Sequence, residues 1–210
     1  MNKKKEIAAA LAHEIKNPIA VIKANFDYIK LNNDLKATPS FKIIDKELDK
    51  LNNLINDYTT ILQPIKYKEK IFIEDLVFDI IEELTISSDN NINFTFDLED
   101  DTYIYGDYTK ISILLFNIYK NAIEANSTSI KTKIFKDDKH IHIIISDNGI
   151  GINEDVINNI GIPFFTTKEK GTGLGVMICQ SIVKSHQGSI SITNNKKNQK
   201  GCSVKIRFHI

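Results

Sequence analysis

Apolar residues recur every three or four positions through the first sixty residues. Ile7, Leu11, Ile15, Pro18, Ile22, Phe26 and Ile29 are spaced 4, 4, 3, 4, 4 and 3. That spacing predicts a helix over residues 5–33 with a narrow seam of the coiled-coil or bundle kind. A polar link from Asn32 to Thr38 leads to Pro39, a residue suited to a helix start. In the second helix, about 40–62, Phe41, Ile44, Leu48, Leu51, Ile55, Tyr58 and Leu62 alternate 3, 4, 3, 4, 3 and 4, and Pro64 stops it. Two helices on a short link form an antiparallel hairpin. A lone hairpin has little core, and pairing two of them buries both seams in a four-helix bundle. Residues 1–65 are therefore expected to form a homodimer.

Beyond residue 70 the period changes. Residues 73–88 read as an amphipathic helix on Leu76, Ile80, Ile81 and Leu84, whereas Ile92, Phe94, Phe96 and Leu98 alternate as in a half-buried strand. A short strand, Tyr103 to Tyr105, precedes a helix at about 109–126 with Ile111, Leu114, Leu115, Ile118 and Ile123 inward. Strands follow at 128–136 and 139–147. Then come a Gly-rich loop, a short helix near 153–160, a second Gly-rich loop and a helix at 173–187. Strands at 188–194 and 202–209 close the chain. The expected class is α+β: a helical hairpin over residues 1–66, then an α/β sandwich over 67–210 with helices on one face of a mixed sheet.

Composition narrows the function only by exclusion. Lys+Arg and Asp+Glu balance at 27 each, so no net field argues for nucleic acid or anionic lipid. No apolar run approaches the ~20 residues that span a bilayer, and Glu6, His13, Glu14 and Lys16 interrupt any signal-like start. Cys179 and Cys202 are too few for a disulfide framework or a metal cluster and read as buried, reduced thiols. These features suit a cytoplasmic protein with no membrane insertion by this chain.

His13 stands two residues from both Leu11 and Ile15, about 200° around the helix from each, so it is expected to face solvent. One exposed histidine is ordinarily a surface residue; the neighbours change that reading. Glu14 can accept a proton from one imidazole nitrogen and leave the other free to attack phosphorus. Lys16 lies one turn on, and Asn17, four residues away on the same face, can orient a water. Pro18 removes an N–H that the Glu14 carbonyl would otherwise accept, which predicts a bend beside the histidine.

Three later segments suit a nucleotide. Asn117, Asn121 and Glu124 share one helical face, and an Asn121 carbonyl oxygen suits Mg²⁺ when phosphates supply the other ligands. Asp147 ends an apolar strand just before Gly149 and Gly151, where a carboxylate can accept from the exocyclic amine of adenine. Phe164 to Lys168 lead into Gly171-Thr172-Gly173-Leu174-Gly175 and a helix, whose first N–H groups suit phosphate. This is neither a Walker A nor a dinucleotide fingerprint.

Together the segments resemble the transmitter core of sensor histidine kinases of bacterial two-component systems. Residues 13–18, His-Glu-Ile-Lys-Asn-Pro, look like the H-box; 117–125 the N-box; 147–151 the G1 box; 163–168 the F-box; and 171–175 the G2 box. The order matches and covers nearly the whole chain. The resemblance implies a phosphotransfer hairpin followed by a Bergerat-type ATP-binding domain. It makes His13 the phospho-acceptor, Glu14 its base, and Asn17 the residue that positions water in a reverse, phosphatase reaction. Asn121 would bind Mg²⁺ with Asn117 in support, and Asp147 would read adenine. Gly149, Gly151, Phe164, Lys168, Thr172, Gly173 and Leu174 would line ATP. The implied partner is the receiver domain of a response regulator. Two rivals remain at this point: a phosphotransfer scaffold with a dead nucleotide domain, and a hydrolytic ATPase of the same superfamily. The intact boxes oppose the first. The second carries a water-activating glutamate where this chain has Asn117.

Overall fold

The computed structural model describes residues 3–32, 38–62, 65, 68–86, 92–168, 172–195 and 200–210. The link between the first two helices and Gly171 lie outside the described residues, as do the side chains of His13 and Glu14. The chain divides into two compact units, residues 1–62 with 162–174, and residues 63–161 with 175–210.

The first unit is built on α1 (Lys3–Asn32) and α2 (Thr38–Leu62), which pack against each other. Pro18 is buried inside α1, and the helix continues through it. On α2 the apolar stripe splits into two faces. Ser40 and Leu54 are buried and Ile44, Leu51 and Tyr58 half-buried, whereas Phe41, Leu48 and Ile55, seven residues apart, are each 45–48% exposed. Leu54, absent from the expected seam, is the most enclosed of the described side chains of α2 at 1% exposure. On α1, Ile19 and Phe26 repeat the outward heptad spacing.

The second unit contains a two-stranded antiparallel sheet, β1 (Glu69–Phe72) with β3 (Tyr103–Gly106). Its main sheet has five strands in the order β2-β4-β5-β7-β6. These are β2 (Asn93–Leu98), β4 (Ser129–Lys136), β5 (His140–Asp147), β6 (Ser189–Asn194) and β7 (Cys202–His209). Only the β2–β4 pair is parallel, so the sheet is mixed, as expected. The helices of this unit are α3 (Ile73–Ile86), α4 (Tyr108–Glu124), the single-turn α5 (Glu154–Ile157) and α6 (Gly175–Ser185).

Strand alternation sorts the sheet into two faces. Ile130, Thr132 and Ile134 on β4, Ile141, Ile143 and Ile145 on β5, and Ile206 and Phe208 on β7 share a face that is nearly closed to solvent. Buried stripes on α3 (Leu76, Val77, Ile80), α4 (Ile111, Leu114, Leu115, Ile118) and α6 (Met177, Ile178, Ile182, Val183) complete that core. Each such side chain contributes about 1.5–3 kcal/mol relative to exposure. Tyr119 and Thr132 share a hydroxyl hydrogen bond of 2.5 Å within it, and burial pushes the Tyr119 phenol well above its usual range. The other face carries Lys131, Lys133, His142, Lys205 and Arg207.

The start of α4 is fixed by two side chains. Asp107 caps it by accepting from the Lys110 N–H, and the Asp107 N–H donates to His186 Nε2 at 3.0 Å. His186 Nδ1 donates to the Ile182 carbonyl at 2.8 Å, so the ring is the neutral tautomer. Burial lowers the His186 pKa, although the Ile182 carbonyl and Asp107 pull the other way.

Candidate functional site

The C-terminal end of β5 is the best-defined part of the site. Asp147 is the eighth residue of the strand, on its core face, and is 8% exposed. Its Oδ1 accepts the Gly149 N–H at 2.9 Å and the Cys202 N–H at 3.2 Å. Those two bonds fix the carboxylate plane, and Oδ2 takes no hydrogen bond from the described residues. A buried carboxylate with one clear oxygen is an acceptor for a ligand N–H.

Backbone packing holds the Asp147–Gly151 turn in place. The Ile150 N–H donates to the Ala125 carbonyl at the end of α4, and a Cβ on Gly149 would lie 2.5 Å from that carbonyl oxygen. Gly149 is therefore required for close approach, and the turn is stapled to the helix that carries Asn117 and Asn121. Asn148 reinforces this by accepting from the Thr128 and Ser129 N–H groups. Gly151 has φ +74°, and Asn194 clamps the next residue, Ile152, through both its amide atoms. On the other side Gly201 has φ +99°, and a Cβ there would meet the Asp147 carbonyl oxygen at 2.0 Å.

Asn148, which lies inside the 147–151 motif but has no role in the motif reading, and Asn194, Asn195 and Gly201, which lie outside the motifs, support the site. Asn195 donates to the Asp147 carbonyl at 2.8 Å. The Asn148 side chain, sitting in a strand-ending turn, was the one visible signal; the others act through strand register, which spacing does not display.

Asn117 and Asn121 occupy successive turns of α4, both half-buried. Asn117 Nδ2 donates to the Ile113 carbonyl of its own helix. Its Oδ1 lies 3.4 Å from where a Cβ at Gly175 would stand. The Asn117 turn thus abuts the first residue of α6, whose leading N–H groups have no carbonyl within the helix. The helix begins at Gly175, two residues later than expected, because Gly173 adopts φ +68°.

The segment 162–174 belongs to the other compact unit. There Phe164, itself at φ +65°, donates its N–H to the Gly173 carbonyl at 3.2 Å, and a Cβ on Gly173 would collide with the Phe164 backbone. The F-box and G2 segments are therefore in direct contact. Thr172 Oγ1 donates to Asp57 on α2 at 3.0 Å and accepts the Leu174 N–H; Leu174 is fully buried. Lys168 and Phe165 are exposed, and Phe164 is half-buried. On α1, Lys16 and Asn17 are exposed. His13 lies within the helical span of α1.

Neither cysteine is poised for chemistry. Burial pushes the Cys179 thiol up to about 12, and burial with the nearby Asp147 carboxylate pushes Cys202, which is half-buried, up to about 11. Among the described residues no helix is long and apolar enough to cross a membrane.

Two family models match the chain. Residues 106–210 match the histidine kinase-, DNA gyrase B- and HSP90-like ATPase family, and residues 3–61 match the His Kinase A (phospho-acceptor) domain. Sporulation kinase A of Bacillus subtilis (strain 168) is 32% identical over 209 residues, which is 97% of this chain and 34% of that protein. Sporulation kinase E of the same organism is 33% identical over 198 residues, 91% of this chain and 27% of that protein. The chain therefore spans about a third of the length of these curated relatives. Among solved structures, histidine kinase ThkA in complex with response regulator protein TrrA aligns with 97% of this chain and 61% of its own, at 27% identity and a TM-score of 0.74. A phospho-acceptor helical hairpin followed by this ATPase-type domain is the plan of one family, and the chain belongs to it as a histidine kinase transmitter core.

Proposed function

We propose that this chain binds ATP with Mg²⁺, transfers the γ-phosphoryl group to His13, and passes it to an aspartate on the receiver domain of a response regulator. The observation that carries the reading is Asp147: a buried carboxylate anchored through one oxygen, on a turn stapled to the helix of Asn117 and Asn121. The donor set suits the substrate. Asp147 Oδ2 accepts from the adenine amine, Gly149 and Gly151 admit the base, and the N–H groups at the start of α6 receive phosphate oxygens. Mg²⁺ neutralises phosphate charge when bound, and Asn121 offers it an uncharged oxygen. Phe164, Lys168, Thr172, Gly173 and Leu174 form the segment that covers the nucleotide.

In the transfer step an imidazole nitrogen of His13 attacks the γ-phosphorus, the bond from phosphorus to the bridging oxygen breaks, and ADP leaves. Glu14 takes the proton from the other ring nitrogen. Asn17, exposed on the same helix, orients water in the reverse reaction, which removes phosphate from the regulator. The domain boundary lies near residue 66, giving a phosphotransfer hairpin over 1–66 and a catalytic domain over 67–210, at work in the cytoplasm. Two copies pair through residues 1–65. The outward heptads Phe41, Leu48 and Ile55 on α2, with Ile19 and Phe26 on α1, support that pairing.

Incubation with γ-labelled ATP and Mg²⁺ tests the reading. Wild type should be labelled, and Asn121→Ala should lose the label because its metal ligand is gone. Full labelling of Asn121→Ala would refute the assignment.

A further inference from the structure

A second constellation lies at the opposite end of β5 from Asp147. Three of the chain's five histidines, with one carboxylate, converge there from three separate segments. Asp137 is in the β4–β5 turn. His140 and His142 are two residues apart on β5 and therefore share its outer face. His209 on β7 stands directly opposite His140 in the antiparallel register. The His140 and His209 rings are 4.5 Å apart between centroids, and the ligating atoms of Asp137, His140 and His142 lie within 4.8 Å of one another.

We propose that Asp137, His140 and His142, with His209 beside them as a fourth donor, bind a divalent transition-metal ion of the zinc class. Imidazole with one carboxylate suits Zn²⁺, Co²⁺ or Ni²⁺ and is a poor match for Mg²⁺ or Ca²⁺, which take oxygen ligands. In four-coordinate zinc the bonds of about 2.0–2.1 Å separate neighbouring ligand atoms by about 3.3 Å. Asp137, His140 and His142, within 4.8 Å of one another, therefore close by small side-chain rotations, and His209 reaches in from the facing strand. Outer contacts already orient the donors. Asp137 Oδ1 accepts the Lys139 and His140 N–H groups, at 2.9 and 2.8 Å, which turns Oδ2 toward His142 Nε2 at 2.7 Å. The His142 ring is stacked on Phe135, 4.6 Å away with an interplanar angle of 5°. Such outer-shell bonds are what metal sites use to fix ligand geometry.

The simpler alternative is a surface ion-pair cluster, with Asp137 against His142 at 2.7 Å and His140 at 3.5 Å. It accounts for three of the four groups and leaves His209, whose ring faces His140, without a reason. A bound ion would tie the β4–β5 turn to the C-terminal strand. Seven residue steps of β5, about 23 Å, separate it from Asp147, so its role is structural or sensory and independent of nucleotide contact.

Titration of the untagged full chain with Zn²⁺ in millimolar Mg²⁺ should give one site per chain with micromolar or tighter affinity. It should also raise the melting temperature. Co²⁺ should give the visible absorption of a tetrahedral nitrogen–oxygen site. His140→Ala and His142→Ala should each weaken binding about 10²-fold or more. Asp137→Asn should also weaken binding. It keeps an oxygen for the two turn N–H groups and removes the charge, and circular dichroism should find it folded. Millimolar affinity in wild type, or unchanged affinity in the His140→Ala, His142→Ala double variant, would overturn the proposal.

Discussion

Replacing Asp147 by Asn separates its two roles. The substitution keeps an Oδ1 acceptor for the Gly149 and Cys202 N–H groups, and it turns Oδ2 into a donor. On folding, two charge-assisted bonds become neutral ones, a loss of about 1 kcal/mol each. For a domain of this size that lowers the melting temperature by about 4–8 °C. On binding, a charge-assisted acceptor is lost and an N–H is pointed at the N–H of adenine. The loss there is about 3 kcal/mol, or roughly 10²-fold in affinity. Titration calorimetry with ATP, beside a thermal melt, reads both quantities. Wild type should also reject GTP, whose 6-oxo group presents an acceptor to the carboxylate. ATP affinity within a few fold of wild type in a folded Asp147→Asn, or equal wild-type affinity for ATP and GTP, would refute the reasoning.

Two further outcomes follow from other parts of the molecule. Leu48→Glu places a charge on the outward heptad of α2, where pairing would bury it at a cost of several kcal/mol, so light scattering should find the wild type dimeric and the variant monomeric; a wild-type monomer at micromolar concentration would contradict the bundle. His186 is held neutral, with a pKa below the unfolded value of about 6.5, so its contribution to stability is full above about pH 6.5 and is lost as the pH falls through the folded value. Urea melts across that window should show this loss in wild type and a flatter profile in His186→Gln, whose carbonyl oxygen can still accept from Asp107; equal slopes would remove His186 as the cause.

The sequence pattern anticipated the helices and the core strands because their periods are long and their buried faces apolar. It missed β1, a four-residue strand with one buried side chain, Ile71, since so short a segment has no period to read. It merged two faces of α2 into one seam and passed over Leu54, because α2 carries apolar residues on two faces, one buried and one exposed, and spacing alone does not separate them. It placed the start of α6 at Gly173, where a positive φ and contact with Phe164 end the loop instead. At the site, the chemistry-bearing side chains are legible as motifs. Gly201, Asn194 and Asn195 are not, because they come from the end of β6 and the β6–β7 connection and act through proximity in the fold. The same holds for His209, which only the β5–β7 register brings to His140.

The most direct test of the central claim is the chemistry of the phosphorylated residue. After incubation with γ-labelled ATP and Mg²⁺, wild type should carry label that survives base and is lost in mild acid, because protonating the imidazole makes it a leaving group. His13→Ala should bind ATP normally and carry no label. Acid-stable label, or a His13→Ala protein labelled as fully as wild type, would contradict a phosphoryl group on His13.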